Sequence, residues 1–171
     1  MTPAALQTIA NHFFQVAYVV EDMPDAEASF SRIFEVPSFF RMEDVAFGAD
    51  CLYRGNPSDS AAHLSIGYLG DTQIELIQPV RGESLYREFL ESHGPGLHHI
   101  AFDVPDFPAT VRALEADGLE ILAEGSVGPG SHFAYFDCAT AGASVIEILG
   151  FSDDVRGFMA QIKDQQGKQK T

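Results

Sequence analysis

Apolar positions along the chain follow two spacings, one typical of strands and one typical of helices, and their order is the same in both halves. The first half has a helical pattern between Asp22 and Pro37 and four strand patterns, which cover 14–20, 39–47, 62–69 and 72–78. The second half has a helical pattern over 108–117 and four strand patterns, which cover 98–104, 119–123, 133–137 and 143–149. The order strand, helix, strand, strand, strand therefore occurs twice.

The two halves also share residues at fixed spacings, which indicates an internal repeat. A shift of 84 positions places the segment 15–22 on 99–106, so that Gln15 aligns with His99. A shift of 72 positions places Ile74-Glu75-Leu76-Ile77 on Ile146-Glu147-Ile148-Leu149. Each half therefore opens with a strand that carries one nitrogen or oxygen donor and closes with an apolar strand that contains one glutamate.

A sheet with a helix on one face leaves its other face bare, so we expect the two halves to place their bare faces together. The length of 171 residues and the apolar content of 46% fit one compact domain or two fused modules. We predict an α+β fold of two βαβββ modules followed by a C-terminal helix. The predicted segments are an N-terminal extension (1–12), the first module (13–79), a helical connector (80–96), the second module (97–150), and a C-terminal helix with a loose tail (151–171).

The charge of the chain argues against several classes of partner. The formal net charge is -15, and all three lysines lie in the last nine residues. Such a surface repels phosphate backbones and anionic lipid, so neither nucleic acid nor a membrane is an expected partner. No apolar run approaches the roughly 18 residues of a membrane span, and the N-terminus lacks a signal pattern, so we expect a cytoplasmic protein. Cys51 and Cys138 have no metal-finger spacing and are expected to be unpaired.

Four side chains occupy equivalent places in the repeat, namely Gln15, His99, Glu75 and Glu147. A glutamate inside an apolar strand either points to solvent by strand alternation or is costly to bury without a partner. The internal repeat favours convergence, because a twofold axis would bring all four side chains together. An imidazole, an amide oxygen and two carboxylates suit an octahedral divalent ion that keeps positions for water or substrate. His12 is the rival for the first ligand position.

Two segments carry a resemblance to a known family: 89–102, which contains His98-His99, and Gln73-Ile74-Glu75-Leu76-Ile77-Gln78-Pro79. They resemble the vicinal oxygen chelate superfamily, which includes glyoxalase I, methylmalonyl-CoA epimerase, extradiol dioxygenases and bleomycin-binding proteins. The resemblance covers 13–150 and is most similar to the epimerase branch and to some glyoxalases I. It implies a cupped, partly closed mixed sheet around one divalent ion (Zn, Ni, Co, Mn or Mg), with Gln15, Glu75, His99 and Glu147 as ligands.

The chain departs from the family pattern at two places. The segment 136–142 lacks the His-Pro-Lys sequence that family members commonly carry ahead of the last strand. Epimerases also carry an acid/base glutamate on the second or third strand, for which Glu43, Asp44 and Asp50 are the candidates here. Together with the anionic composition, these departures count against an acyl-CoA substrate.

The remaining histidines have both structural and functional interpretations. His98 neighbours His99, so in a regular strand it should face the opposite side and be packed or exposed. His63 lies on an apolar strand, and His132 lies beside the glycine-rich segment 128–131 at the expected mouth of the cup. We name His63 and His132 as candidate substrate-binding residues.

The resemblance implies a divalent-metal-dependent isomerase, epimerase or lyase of the glyoxalase type. It would act by proton transfer next to a metal-chelated carbonyl through an enolate-like intermediate, with Glu147 as base and Glu75 as its opposite-face counterpart. The expected substrate is a small molecule with a carbonyl or thioester. The alternatives are a non-catalytic drug-binding protein of the bleomycin-resistance type and an iron-dependent extradiol dioxygenase, although Gln15 stands where a dioxygenase needs histidine.

The C-terminal helix carries an apolar stripe that includes Val155, Phe158, Met159 and Ile162. The stripe either forms a contact between two copies of the chain or covers the sheet of its own chain. We expect a homodimer.

Overall fold

The computed structural model describes residues 4–139 and 145–168. Its helices are α1 (Ala4–Ile9), α2 (Met23–Phe34), α3 (Leu85–His93), α4 (Phe107–Ala116) and α5 (Asp153–Lys168), with a short 3-10 helix at Ala10–His12. Its strands are β1 (Phe13–Val19), β2 (Phe40–Ala46), β3 (Leu52–Tyr53), β4 (Asn56–Pro57), β5 (Ala61–Leu69), β6 (Thr72–Arg81), β7 (Gly96–Asp103), β8 (Ile121–Ser126), β9 (His132–Asp137) and β10 (Val145–Gly150). The first two residues of the predicted strand at 143–149 and the last three of the predicted tail lie outside the described residues.

The helix that follows the first strand of each module starts in the same way. The Asp22 side chain accepts a hydrogen bond from the backbone N–H of Asp25 (2.9 Å), and the Asp106 side chain accepts one from Ala109 (3.0 Å). A proline occupies the first turn of both α2 and α4. An aspartate cap with an early proline is a strong local start signal, which explains why both helices were predictable from sequence.

All ten strands belong to one curled mixed sheet in the order β2-β5-β6-β1-β7-β10-β9-β8-β3-β4. The opening strands β1 and β7 pair antiparallel at its centre, and each is flanked by the parallel closing strand of its own module. The α+β fold of two βαβββ modules is therefore confirmed. The modules join edge to edge, and this corrects the expectation of two separate sheets placed face to face.

One short hairpin, β3–β4, crosses from the first module to the second. It belongs to the first half in sequence, yet β3 pairs with β8 at the far edge of the sheet, where Leu52 lies opposite Glu124. The backbone N–H of Gly48 also donates to the carbonyl of Ser126 (3.1 Å). The segment 47–60 thus narrows the opening between the two edges. The sequence did not predict this, because two-residue strands carry no detectable periodicity.

Strand alternation sorts the side chains between the two faces of the sheet. Ile146 and Ile148 pack in the cluster beneath α4, whereas Leu149 belongs to the cluster on the concave side. Ile74 and Leu76 likewise pack beneath α2, and Ile77 faces the concave side. Successive residues of a strand point to opposite faces, so the glutamates between these residues point into the cup.

Helix α5 lies over the concave side and covers part of it. Ile162 is buried, the Gln166 amide donates to the carbonyl of Ile66 (3.1 Å), and Lys163 pairs with Asp71 (2.7 Å). The apolar stripe of the C-terminal helix therefore covers the sheet of its own chain, which is the second of the two alternatives drawn from sequence. Among the described helices, none has the length and apolar content needed to cross a bilayer.

Candidate metal centre

The concave face carries two parallel rows of side chains at its centre. In one row Ala17 is the cross-strand neighbour of both Glu75 and His99. In the other row Ala101 is the neighbour of both Gln15 and Glu147. The two alanines are fully buried and are related by the same 84-residue shift as Gln15 and His99. A methyl group at each of these positions leaves space between the four larger polar side chains.

Three of the four polar side chains converge closely. His99 Nε2 lies 3.1 Å from a carboxylate oxygen of Glu147 and 3.9 Å from one of Glu75. One ligand atom from each of the three residues lies within 4.8 Å of the other two. The imidazole is completely buried and both carboxylates are nearly so. This spacing is compatible with one ion bound by all three groups.

Gln15, the fourth predicted ligand, lies in the lining of the cavity that also includes Glu75 and Glu147. Its side chain is 3% exposed, and its amide nitrogen donates to Gln73 Oε1 (2.7 Å), while Gln73 in turn donates to the Tyr68 hydroxyl (2.7 Å). This chain of hydrogen bonds leaves Gln15 Oε1 buried and without a hydrogen-bond partner among the described residues. A buried acceptor without a partner is unfavourable, and a cation would satisfy it.

His98 and His99 lie on the same side of β7, which corrects the expectation that they face opposite ways. The pairing of β1 with β7 slips between Ala17 and Tyr18, so that His98 is an extra residue on β7. Such a β-bulge turns two successive side chains toward one face. The His98 imidazole is buried, and its Nδ1 lies 2.8 Å from His99 Nδ1.

A second slip in the same ladder falls between Phe13 and Gln15, which makes Phe14 the extra residue on β1. The shift of 84 positions that relates Gln15 to His99 also relates Phe14 to His98. Each module therefore has a bulge directly before its candidate ligand. Bulges re-aim side chains next to functional sites, so the repeated pair is consistent with selection for the direction of Gln15 and His99.

Burial changes the protonation of the converging groups. Burial raises the pKa of Glu147 to about 8, and a hydrogen bond with Tyr135 partly opposes this rise. Burial and the charge of Glu147 raise the pKa of Glu75 well above its usual value. Burial lowers the pKa of His99 to about 3. Without a cation the site therefore favours neutral groups, whereas a divalent ion would favour two carboxylates and a neutral imidazole.

A cavity of about 300 Å³ lies over these groups and includes Gln15, Glu75 and Glu147 in its lining. Tyr86 and Tyr135 also line it, and their hydroxyls are hydrogen-bonded at 2.7 Å. Helix α5 contributes Met159 and two neighbouring apolar side chains to the same lining. The donor set fits a divalent ion, and the cavity leaves room for a small molecule beside it.

The two predicted substrate histidines lie outside this cavity. His63 Nδ1 accepts a hydrogen bond from the backbone N–H of Asp44 (3.0 Å), and strand alternation points it away from the cavity-lining Leu64. His132 stacks on Phe107 on the outer face, with 5.7 Å between ring centroids. The neighbouring Pro129 does line the cavity. The geometry does not support either histidine as a substrate contact, because both side chains point to the other face of the sheet.

The candidates for an epimerase-type acid on β2 or β3 do not reach the cavity either. Glu43 is 67% exposed, and Asp50 accepts a hydrogen bond from the Ser126 hydroxyl (2.6 Å). The residues of β2 that line the cavity are Met42 and Val45. The wall at this position is apolar, and the carboxylates that line the cavity among the described residues are Glu75 and Glu147.

Four residues that line the cavity or contact a candidate ligand were not predicted from sequence: Gln73, Tyr86, His98 and Tyr135. Tyr135 lies two residues from Phe133 on a predicted strand, so alternation with an apolar cavity residue was an available signal. Gln73 lies two residues before Glu75 and shares its face by the same rule. No local signal marked Tyr86, which lies on α3, or His98, whose direction depends on the bulge.

Comparison with known proteins identifies the family. A family model described as Glyoxalase/Bleomycin resistance protein/Dioxygenase superfamily matches residues 14–136. Uncharacterized protein YqjC of Bacillus subtilis (strain 168) is 29% identical over 90 residues, which are 53% of this chain and 64% of that protein. The match thus spans less than two thirds of the relative's own length.

Solved structures of the same fold include epimerases. Methylmalonyl-CoA epimerase from Mycobacterium tuberculosis has a TM-score of 0.63 and 17% identity, with 87% of this chain and 93% of that chain covered. Hypothetical protein BH1468 from Bacillus halodurans C-125 has a TM-score of 0.64 and 17% identity, with coverages of 82% and 94%. A Streptomyces coelicolor methylmalonyl-CoA epimerase in complex with 2-nitronate-propionyl-CoA has a TM-score of 0.60 and 16% identity, with coverages of 83% and 95%. At these identities the likeness concerns the fold, and the family-model match carries the assignment: the chain belongs to the glyoxalase, bleomycin resistance protein and dioxygenase superfamily.

Proposed function

We propose that this protein binds one divalent metal ion through Gln15, Glu75, His99 and Glu147 and catalyses proton transfer at a carbon next to a carbonyl. It would thus be a metal-dependent isomerase, epimerase or lyase of the glyoxalase type. The observation that carries the proposal is Gln15, which lines the same cavity as the two glutamates and whose buried Oε1 has no hydrogen-bond partner among the described residues. Zn, Ni, Co, Mn and Mg are the candidate ions.

The ion would act as a Lewis acid that holds the carbonyl oxygen of the substrate and stabilises the negative charge that develops there. Glu147 is the proposed base, because its carboxylate lies in the cavity lining beside the imidazole of His99. Tyr135 lies in the same cavity lining, and its hydroxyl lowers the pKa of Glu147 and so favours the carboxylate form that a base requires. The burial of His99, Glu75 and Glu147 lowers the local dielectric constant, which strengthens each of these interactions.

Glu75 is the proposed counterpart that handles a proton on the opposite face of the substrate carbon. The apolar Met42 and Val45 occupy the wall formed by β2, which leaves Glu75 as the carboxylate available for this role. A reaction that returns the proton to the same face would need Glu147 alone. Replacing Glu75 in the metal-loaded protein therefore separates the two reactions. Epimerisation with two bases should be lost, whereas isomerisation with Glu147 as the one base should remain.

A second candidate function is non-catalytic binding of a small molecule, as in the drug-binding members of the family. The apolar character of the cavity wall favours it, since a hydrophobic cavity binds ligand without any need for an ion. An iron-dependent dioxygenase is the less favoured alternative, because the converging donors include a single histidine where that chemistry uses two.

The first experiment measures bound metal in the purified protein and in Gln15→Leu, Glu75→Gln, His99→Ala and Glu147→Gln. We expect about one ion per chain in the wild type and a loss of at least tenfold in affinity in each variant. His63→Ala and His132→Ala serve as controls, because both histidines lie outside the cavity, and they should retain the ion. Full retention in all four ligand variants would remove the proposed centre.

The second experiment follows exchange of carbon-bound hydrogen for deuterium by NMR, using the metal-loaded protein with a panel of α-oxo compounds and acyl thioesters. We expect exchange that requires both the ion and Glu147. Stoichiometric metal binding without exchange in any compound would favour the non-catalytic alternative. Oxygen consumption with catechols and ferrous iron would instead favour the dioxygenase.

The predicted homodimer and the predicted cytoplasmic location remain predictions. Helix α5 covers the sheet of its own chain, so a dimer contact would have to use another surface. Analytical ultracentrifugation at micromolar concentration tests the homodimer directly. A single species with the mass of one chain would contradict it.

A further inference from the structure

The upper wall of the cavity is made of apolar and aromatic side chains. Six rings take part, those of Phe47, Tyr86, Phe133, Tyr135, Phe151 and Phe158. Phe47 and Phe133 contact each other with 5.7 Å between ring centroids, so part of the wall is a packed aromatic surface. Aromatic surfaces favour stacked or edge-on contacts with another ring. The polar groups lie together on the floor, where the proposed ion would bind.

The lining of the cavity contains no lysine, arginine or histidine among the described residues. Two basic residues of α5 are held elsewhere: Arg156 pairs with Asp103 at 2.8 Å, and Lys163 pairs with Asp71 at 2.7 Å. The chain as a whole carries a formal charge of -15. A phosphate group would therefore meet no basic side chain in the cavity lining and a repulsive field outside it.

We propose that the cavity selects an uncharged aromatic carbonyl compound and discriminates against phosphorylated or CoA-linked compounds. This inference deepens the proposed function and rests on it for the chelation of the carbonyl group, while the preference for an aromatic body rests on the cavity wall. The volume of about 300 Å³ lies at the lower end of the range for small-molecule pockets and fits one substituted ring.

The position of Phe158 makes it a determinant of this preference. It lines the cavity from α5, is 38% exposed, and contacts Phe40 with 5.3 Å between ring centroids. Because it lies at the edge of the cavity, its replacement should alter ligand packing with little effect on the fold. Ile33 on α2 is 61% exposed and does not line the cavity, which makes Ile33→Ala a matched surface control.

The test uses three probes that share a hydroxymethyl ketone group: 2-hydroxyacetophenone, hydroxyacetone and dihydroxyacetone phosphate. Calorimetric titration of the metal-loaded protein should give at least tenfold tighter binding of the aromatic probe than of hydroxyacetone, because a ring is buried. The phosphorylated probe should bind no better than hydroxyacetone. Phe158→Ala should reduce the aromatic preference severalfold, and Ile33→Ala should leave it unchanged.

Tighter binding of dihydroxyacetone phosphate than of hydroxyacetone would overturn the inference. Equal affinities for the aromatic probe and hydroxyacetone would also overturn it. Failure of the proposed function has a different signature. If the aromatic probe binds selectively but exchanges no hydrogen with deuterium oxide, the selectivity holds and the catalytic proposal fails. If hydroxyacetone or dihydroxyacetone phosphate exchanges hydrogen while the aromatic probe does not bind, the catalytic proposal holds and the selectivity fails.

Discussion

The Nδ1 atoms of His98 and His99 lie 2.8 Å apart in a buried contact between neighbouring residues of one strand. For His99 Nε2 to face a cation with a free lone pair, the ring hydrogen of His99 must be on Nδ1, and His98 Nδ1 must accept it. The contact is compatible with this form of His99, and a cation at Nε2 would select it. We therefore propose His98 as a positioning residue for His99.

Replacing His98 tests this relationship. His98→Phe keeps a buried ring but removes the acceptor, so we expect a 10- to 100-fold loss in metal affinity. His98→Asn restores an acceptor on a shorter side chain and should recover part of the loss. His93→Ala on α3, where the histidine is exposed and stacks on Phe89, should not change metal affinity. Competition with a fluorescent chelator measures the affinities, and equal values for wild type and His98→Phe would contradict the assignment.

Gln73 should support Gln15 in the same manner. Its Oε1 accepts from the amide nitrogen of Gln15, and this contact fixes the amide so that Gln15 Oε1 has no hydrogen-bond partner among the described residues. Gln73→Leu frees the amide to rotate, so metal affinity should fall about tenfold or more. Gln161→Leu on the exposed side of α5 is the control. The idea fails if Gln73→Leu binds the ion as tightly as the control does.

The two central alanines should limit the space for the ion. Ala17 lies between Glu75 and His99, and a valine there would add two methyl groups between them. We expect Ala17→Val to lower metal affinity at least tenfold and to lower the free energy of unfolding by about 1–3 kcal/mol. Ala134→Val overpacks the buried cluster beneath α4 instead, so it should cost stability but keep metal affinity. Unchanged metal binding in Ala17→Val would argue that the ion does not sit between these rows.

The stability of the metal-free protein should fall as the pH rises from 6.5 to about 8. Burial raises the pKa of Glu147 from 4.5 to about 8, so the folded protein retains a proton that the unfolded chain releases. The stability from this group is fully present below pH 4.5 and is lost as the pH rises through 8. The lowered pKa of His99 makes stability rise with pH, but only at pH values below 6.5, which is the ordinary pKa of histidine. Glu75, whose pKa is also raised, acts in the same direction, and each of the two carboxyl groups contributes a slope of up to about 1.4 kcal/mol per pH unit.

Urea unfolding of chelator-treated protein at several pH values measures this slope. Glu147→Gln cannot ionise at this position and should reduce the slope to the part due to Glu75, whereas His132→Gln should leave the slope as in the wild type. Saturation with a divalent ion should reverse the trend, because the ion favours the ionised carboxylates. Stability that rises with pH in the metal-free protein would contradict the prediction.

Helix α5 should depend on Ile162 for its attachment to the cup. Ile162 is buried against the rest of the protein, and Ile162→Ala should cost about 2–5 kcal/mol in the free energy that holds the helix in place. Hydrogen exchange of the amides of α5 should therefore accelerate by at least tenfold, while exchange in β1 and β7 changes less. Ile33→Ala, at an exposed position, should leave hydrogen exchange unchanged in α5 and in β1 and β7. Equal protection of α5 in Ile162→Ala would show that other contacts hold it.

Much of the fold could be predicted because its signals are local. Aspartate caps and early prolines marked α2 and α4. Alternation marked β6, where a glutamate lies between isoleucine and leucine, and β10, where a glutamate lies between two isoleucines. The short strands β3 and β4 gave no such signal, since β3 pairs with β8, which is far away in sequence, and β4 pairs with β3 alone. Two-residue elements are defined by their contacts and not by their composition.

The sequence by itself determined that the chain contains two related halves and that Gln15, Glu75, His99 and Glu147 occupy repeated positions within them. The tertiary structure decided that the halves join through β1 and β7, that His98 turns toward His99 at a bulge, and that His63 and His132 face away from the cavity. It also brought Glu75, His99 and Glu147 within 4.8 Å of one another. The physical reason is that repeats and alternation are properties of neighbouring residues, whereas a bulge, a burial state or a shared cavity depends on pairing between strands far apart in the chain.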